Sequence, residues 1–190
     1  MFLIKIKNQT IWLLSDTHGK HRLIEIPENI DIVIHCGDIC EDGNLEEISD
    51  FFKWYSALPI PSKLFVHGNH DLPFELDPEV SRQLIPRNVL WLNDESILLR
   101  GIRIKAVSPF FFYQEIDMTE KVDILLSHYP PDGILDDGFG IKELKEYVDE
   151  IQPTYHAFGH NHSGTGVLKV GKTQFMNVSL YEELFGAEDL

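Results

Sequence analysis

The chain has 190 residues, of which 43% are hydrophobic and 25% are charged, a composition typical of a globular protein with a sizeable core. Lysine and arginine number 16 against 31 aspartate and glutamate residues, and the formal net charge of −15 argues against long nucleic acids as partners. No apolar run approaches the roughly 20 residues that span a bilayer, so we expect a single cytoplasmic domain over residues 1–190 with no membrane partner.

Five short apolar runs share one shape, since each ends in polar residues. In chain order they are IWLLSD (11–16), DIVIHCGD (31–38), KLFVHGNH (63–70), DILLSH (123–128) and HAFGH (156–160). Runs of this length fit strands that are buried on both faces of a sheet. Because the ligand site of an α/β sheet lies at the carboxyl ends of its strands, the pattern predicts five strands that end at one site.

Two longer segments have the apolar periodicity of amphipathic helices. Residues 44–59 offer Asn44 as N-cap and Glu47 three residues later, and Pro59 ends the pattern. Residues 140–151 repeat the periodicity. We expect both helices to cover a face of a sheet.

Two β-rich segments surround glycine-containing turns, at residues 96–108 and 166–179. Such segments predict β-hairpins, which add antiparallel strands. The sequence therefore favours a mixed α/β sandwich over a purely parallel sheet.

Cys36 and Cys40 are the only cysteines of the chain. Two cysteines are too few for a disulfide framework, and a lone C-x3-C lacks the second ligand pair of a structural zinc site. We expect both to be reduced, structural thiols.

The polar ends of the five strands supply eight side chains that can bind metal ions or act on a substrate. They are Asp16, His18, Asp38, Asn69, His70, His128, His160 and His162. Imidazole nitrogens mixed with carboxylate and amide oxygens suit Mn, Fe or Zn ions. Eight such groups exceed the needs of one tetrahedral ion, whereas two ions about 3.5 to 4 Å apart with a bridging carboxylate would use nearly all of them.

The motifs SDTHGKH, HCGDIC, HGNHD, SHYPP and FGHNHSG resemble, in order, the signature of the calcineurin-like metallophosphoesterases. The phrases LSDTHG, GNHDLPFE and GHNHSGTG are most similar to the small metallophosphoesterase-domain phosphodiesterases of that superfamily. The resemblance implies a four-layer α/β/β/α sandwich with mixed sheets. It also implies a centre of two divalent metal ions, with manganese expected and iron or zinc as alternatives.

The resemblance also implies a role for each residue of the motifs. The first ion would be held by Asp16, His18 and His162, the second by Asn69, His128 and His160, and Asp38 would bridge the two. His70 would be the catalytic histidine, which contacts the phosphate and helps the leaving group. Asp71 is expected to orient His70 or to cap the following segment.

The expected reaction is hydrolysis of a small phosphate ester by metal-activated water. Protein phosphatases of the superfamily carry an arginine in G-D-x-x-D-R-G that clamps a dianionic monoester, whereas this chain has GDICEDG. The acidic residues there favour a monoanionic phosphodiester, and a small, nucleotide-like diester is left open. A phosphomonoesterase and a non-catalytic metal-binding scaffold are the alternatives, and a homodimer is kept as an alternative to a monomer.

The rims of the site are predicted at residues 108–114 and 128–140. Their aromatic residues could stack on a nucleobase, or could instead pack against the sheet: Phe110, Phe111, Phe112, Tyr129 and Phe139. His21 is expected in an exposed loop, with contact to the phosphate as the alternative. His156 is expected to be structural, and His35 and His67 to lie in the core or to orient ligands. Asn161 is expected to donate a hydrogen bond behind the ligands.

Overall fold

The computed structural model describes residues 1–109 and 119–186, and within them the strands form two mixed sheets. The first sheet contains β1 (Phe2–Ile6), β2 (Gln9–Leu14), β3 (Ile32–Cys36), β4 (Ser62–Val66) and β5 (Leu90–Trp91), in that spatial order. β1 runs antiparallel to β2, and the other neighbours are parallel. Three of the predicted strands therefore lie side by side with their carboxyl ends together.

The second sheet has the spatial order β10-β11-β9-β8-β7-β6. Its strands are β6 (Ser96–Leu99), β7 (Ile102–Ala106), β8 (Ile124–Leu126), β9 (Tyr155–Phe158), β10 (Gly166–Val170) and β11 (Thr173–Asn177). The two predicted hairpins are confirmed, because β6 pairs with β7 and β10 with β11 in antiparallel register. The central pairs β7-β8, β8-β9 and β9-β11 are parallel.

Five α-helices accompany the sheets in the described residues. They are α1 (Leu45–Ala57), α2 (Leu72–Leu76), α3 (Pro78–Arg82), α4 (Lys142–Ile151) and α5 (Tyr181–Phe185). Asn44 caps α1 as predicted, since its side chain accepts the amides of Glu46 and Glu47. The carboxylate of Glu47 accepts the amide of Glu41 instead of completing a capping box. α1 and α4 confirm the two helix predictions, whereas α2, α3 and α5 were not predicted.

Three apolar clusters separate four layers. One lies between α1 and the first sheet and includes Phe51 and Phe65. A second lies between the two sheets and includes Ile34 and Ile104. A third lies between α4 and the second sheet and includes Tyr147. The four-layer α/β/β/α arrangement with mixed sheets is confirmed.

The two cysteines are free and buried, as expected, and burial raises the pKa of both thiols. Across the described ranges, no helix is both long enough and apolar enough to span a lipid bilayer.

Candidate metal centre

The loops that follow β2, β3, β4, β8 and β9 meet at one end of the two sheets. Within the first sheet, the amide of Asp16 donates to the carbonyl of Gly37 at 2.9 Å. Two contacts join loops of different sheets: the amide of His160 donates to Asp16 Oδ1 at 3.0 Å, and His128 Nδ1 donates to the carbonyl of Cys36 at 2.8 Å. The structure therefore brings the polar strand ends into one cluster.

A first group of donors has one atom of each side chain within 4.8 Å of the others. Its members are Asp16, His18, Asp38 and His162. His162 Nε2 lies 3.5 Å from Asp16 Oδ1, and His18 Nε2 lies 3.7 Å from Asp38 Oδ2. The first three side chains are almost wholly buried and His162 is half-buried. These are the residues that the resemblance assigns to the first ion, together with the bridging aspartate.

A second group contains Asp38 again, with His128 and His160. His128 Nε2 lies 3.1 Å from Asp38 Oδ2. The side-chain oxygen of Asn69 completes this group, because it lies 3.0 Å from His128 Nε2 and 2.9 Å from His160 Nδ1. All seven residues predicted as metal ligands thus lie together, in two groups that share Asp38.

Four of these seven residues have a left-handed backbone. Their φ angles are 56° for Asp16, 39° for His18, 59° for Asp38 and 65° for His160. Residues other than glycine rarely adopt this conformation, at a cost of about 1–3 kcal/mol each, and it is concentrated at functional sites. Packing around the cluster is also tight, since a Cβ at Gly159 would lie 2.3 Å from Asp16 Oδ2.

Asp71 has a different role from the one predicted. Its buried carboxylate accepts the amides of Asp38 (2.8 Å), Ile39 (2.9 Å) and Gly68 (2.9 Å). Asp71 is the N-cap residue of α2, but its side chain makes no capping hydrogen bond there, and the carboxylates paired with the His70 ring are those of Glu41 and Asp42. Asp71 therefore fixes the backbone of the shared Asp38 by joining the loops after β3 and β4, and both predicted roles are wrong.

Burial and neighbouring charge set the protonation of the cluster. Burial disfavours a charged His128, but Asp38 opposes it and raises the pKa of His128 to about 9. Burial would also raise the pKa of Asp38, yet the charges of His128 and His18 hold it well below its usual range. Burial lowers the pKa of His160 to about 4. Because a metal ion binds neutral imidazole, an ion at the second group would displace the proton of His128.

His70 lies at the edge of the cluster, between it and solvent. Its Nδ1 is 3.2 Å from Asp42 Oδ1 and 3.6 Å from Glu41 Oε2. The other oxygen of Glu41 lies 2.9 Å from His18 Nδ1, and the rings of His18 and His70 meet edge to face with centroids 5.0 Å apart. The acidic residues of GDICEDG therefore contact the predicted catalytic histidine directly, which the sequence alone did not indicate.

Three other histidines lie in the core: His35, His67 and His156. His35 Nε2 is 3.1 Å from the hydroxyl of Thr17, His67 Nδ1 accepts the indole N–H of Trp91, and His156 Nε2 is 2.8 Å from the hydroxyl of Ser127. They confirm the expectation of core positions. His21 contradicts its prediction, because it is fully buried, with Nε2 3.1 Å from Asp50 Oδ2, and is not in an exposed loop.

Two of the predicted rim aromatics flank the second group. The ring of Tyr129 lies 4.2 Å from that of His160, and Phe139, which is 61% exposed, lies 5.8 Å from it edge to face. Asn161 is hydrogen-bonded to the rim segment 128–140, since its side-chain amide donates to the carbonyl of Leu135 at 2.9 Å. The other rim aromatics, Phe110, Phe111 and Phe112, lie outside the described residues.

One contributor was missed by sequence reasoning altogether. Tyr181, in α5, stacks on His162 with ring centroids 3.7 Å apart and an interplanar angle of 10°. The only signal in the sequence is the i, i+4 spacing of Tyr181 and Phe185, which is typical of any short amphipathic helix. Nothing in that spacing indicates a metal site.

Two mixed sheets enclosed by helices, with a histidine and aspartate cluster at the strand ends, define a metallophosphoesterase-type sandwich. The sequence profile described as calcineurin-like phosphoesterase matches residues 9–164, and the chain therefore belongs to this family.

Individual proteins agree with this assignment. Metallophosphoesterase domain-containing protein 1 of Homo sapiens is 31% identical, with 88% of this chain and 64% of the human protein covered. UPF0046 protein K07C11.7 of Caenorhabditis elegans is 30% identical, with 87% and 68% covered. A solved structure that shares 14% of the sequence and covers 91% of each chain has a TM-score of 0.71, which shows the same fold. The chain thus spans less than two thirds of the length of the human relative.

The cluster fits the divalent ions that the family implies. His18 Nε2 is buried and meets no hydrogen-bond partner among the described residues, so a coordinated ion would satisfy it. Both donor groups mix imidazole with carboxylate, and neither contains a thiolate. Such sets suit Mn, Fe or Zn and disfavour soft, thiolate-dependent metals.

Proposed function

We propose that the chain is a metal-dependent phosphodiesterase that hydrolyses a small, nucleotide-like phosphodiester. The observation that carries this proposal is the pair of donor groups that share Asp38. The first ion would be held by Asp16, His18 and His162, the second by Asn69, His128 and His160, and Asp38 would contact both. Two bound ions would polarise the phosphoryl oxygens and lower the pKa of a water toward neutrality, and manganese is our first choice for both.

His70 is proposed as the general acid for the leaving oxygen. The ring is half-buried at the edge of the cluster, where a bound ester would reach it, and its Nδ1 faces Glu41 and Asp42. Both carboxylates lie on the Nδ1 side of the ring, which leaves Nε2 for the substrate. A general acid of this kind is typically worth about 10²–10⁴ in rate.

The same two carboxylates support a diester over a monoester. The side chain of Asp42 is largely exposed and that of Glu41 half-exposed, and both lie beside His70 at the edge of the cluster. A monoester dianion would be repelled more strongly than a diester monoanion. Phosphomonoester hydrolysis is therefore the second candidate.

Tyr129 and Phe139 are proposed to contact an aromatic part of the ester. Both lie beside His160, and Phe139 is too exposed to be explained by packing in the core. Exposed aromatic rings of this kind stack on nucleobases, with about 1–3 kcal/mol per base. This supports a nucleotide-like ester.

Hydrolysis of bis-p-nitrophenyl phosphate and p-nitrophenyl phosphate, by EDTA-stripped chain with and without Mn²⁺, tests the proposal. We expect Mn²⁺-dependent turnover that favours the diester. The variant His70→Gln should retain both ions by elemental analysis and lose about 10²–10⁴ in kcat. Preference for the monoester would support the phosphatase candidate, and two bound ions with no turnover of either ester would indicate a non-catalytic scaffold.

The acidic residues can be tested separately. Glu41→Gln and Asp42→Asn should raise turnover of the monoester relative to the diester, because each removes one negative charge beside His70. Glu46→Gln removes an exposed carboxylate from the first turn of α1 and serves as the matched control. An equal shift in the control would show that net charge, and not the position of the charge, sets the preference.

A further inference from the structure

Three aromatic rings form a column that begins at the first donor group and runs onto α5. His162 stacks on Tyr181 at 3.7 Å and 10°, and Tyr181 stacks on Phe185 at 4.3 Å and 9°. His18 meets all three rings edge-on, with interplanar angles of 84°, 88° and 85° to His162, Tyr181 and Phe185. Both histidines predicted to hold the first ion therefore touch the same tyrosine.

The base of α5 is tied to the loop that carries Asp16. The amide of Leu180 donates to the carbonyl of Ser15 at 3.0 Å, and Ser15 forms an isolated parallel bridge with Ser179. Leu184 is buried in the cluster that lies over the first sheet. The position of Tyr181 relative to the donor residues is thus fixed by the backbone contacts of Ser179 and Leu180.

His162 differs from His128 in how its ring is oriented. A metal-bound histidine usually donates its second ring nitrogen to a carbonyl or carboxylate, which fixes the orientation of the ring. His128 follows this rule through the carbonyl of Cys36 at 2.8 Å. In the described part of the chain, no hydrogen bond reaches Nδ1 of the half-buried His162, and the flat face of Tyr181 is its closest ring contact.

We infer that Tyr181 is a positioning residue of the first metal site, whose stacked ring takes the place of the missing hydrogen bond to His162. The inference rests on the proposed function only in so far as His162 and His18 hold an ion there. It assigns to the metal centre a residue that lies beyond 9–164, the part of the chain that matches the family profile.

Metal binding to the full chain tests the inference without reference to turnover. The EDTA-stripped protein and the variants Tyr181→Leu, Tyr181→Phe and Leu184→Ala are titrated with Mn²⁺ by calorimetry, and the coupling of the two ions is followed by electron paramagnetic resonance. We expect Tyr181→Leu to keep one ion and to bind the other about 10- to 100-fold more weakly, as for the loss of other groups that orient metal-bound histidines. The spectrum of a coupled pair should then give way to that of a single Mn²⁺ at matched metal concentration.

The two other variants separate stacking from folding. Tyr181→Phe keeps the ring and should bind both ions like the wild type, whereas Leu184→Ala should lower the melting temperature through loss of core packing and leave both affinities within threefold. Equal weakening in Leu184→Ala, or unchanged binding in Tyr181→Leu, would overturn the inference. So would a wild-type chain that binds fewer than two ions, whereas two-ion binding without ester hydrolysis would contradict the proposed function alone.

Discussion

The carboxylate of Asp71 offers a sharp test of how the centre is built. It is fully buried, and it accepts three backbone amides from the loops that carry Asp38 and Asn69. Burial, and then the charge of Asp38, raise the pKa of Asp71 to about 6. Ionisation of this carboxyl group therefore costs more free energy than it would in water. Two substitutions separate the hydrogen bonds from the charge: Asp71→Asn and Asp71→Ala.

The expected magnitudes follow from the three bonds. A buried amide left without a partner costs about 1–3 kcal/mol. Asp71→Asn can retain the oxygen that accepts from Asp38 and Gly68, and loses the bonds of the other oxygen to the Ile39 amide and the Cys40 thiol. Because removal of the charge relieves repulsion with Asp38, we expect a change of about 1 kcal/mol or less in the free energy of unfolding. Asp71→Ala loses all three amide bonds, two more than Asp71→Asn, and should be less stable than Asp71→Asn by about 2–6 kcal/mol.

Urea unfolding of the metal-free proteins measures these differences, since stability is a linear function of denaturant concentration near the transition. Asp149→Ala is the matched control, because Asp149 is an exposed carboxylate paired with Lys145 on α4 and should change stability by about 0.5 kcal/mol or less. If Asp71→Ala and Asp71→Asn unfold within 1 kcal/mol of each other, the reasoning about the three amides is wrong.

Three further predictions follow from other contacts. Gly159→Ala should weaken Mn²⁺ binding while the chain stays folded, since its Cβ would lie 2.3 Å from Asp16 Oδ2. Gly166→Ala is the calorimetric control and should bind normally, because its Cβ would meet only the carbonyl of Gly164, at 4.0 Å. Asn44→Ala should cost about 0.5–2 kcal/mol in urea unfolding through loss of the α1 cap, and an accompanying fall in Mn²⁺ affinity would contradict a purely local role. Mn²⁺ at about 100 times its dissociation constant should stabilise the stripped chain by about 2.7 kcal/mol, seen as a higher melting temperature that EDTA reverses; no shift would count against a bound ion.

Much of the sandwich and of the cluster could be predicted from local patterns. Apolar runs that end in Asp, Asn or His mark β2, β3, β4, β8 and β9, because a buried strand has no reason to end in such residues unless they bind something. Glycine-containing turns marked the two hairpins of the second sheet. The hairpin of β1 and β2 was not predicted, because its two-residue turn contains no glycine. The turn residues are Lys7 and Asn8, with φ angles of 48° and 62°.

The features that were missed depend on contacts between distant segments. Asp71 adjoins His70 in sequence, which favoured a role at the His70 ring or at the next helix. Its carboxylate instead accepts amides of a loop more than 30 residues earlier in the chain. His21 looked like a loop residue because no periodicity surrounds it, and only the fold brings Asp50 of α1 to it. Tyr181 stacks on His162 because the chain after β11 returns to Ser15, which no local pattern reveals.

The amide, the carbonyl and the side chain of Asp38 are all hydrogen-bonded. Its amide donates to Asp71, its carbonyl accepts the amides of Thr17 and His18, and its Oδ1 accepts the amide of His70. His162, by contrast, is half-buried, and the closest ring to it is that of Tyr181. In a lineage that is no longer selected for activity, substitutions should therefore remove the outer histidines first and Asp38 last. Asp38 would then still be present after the activity is lost.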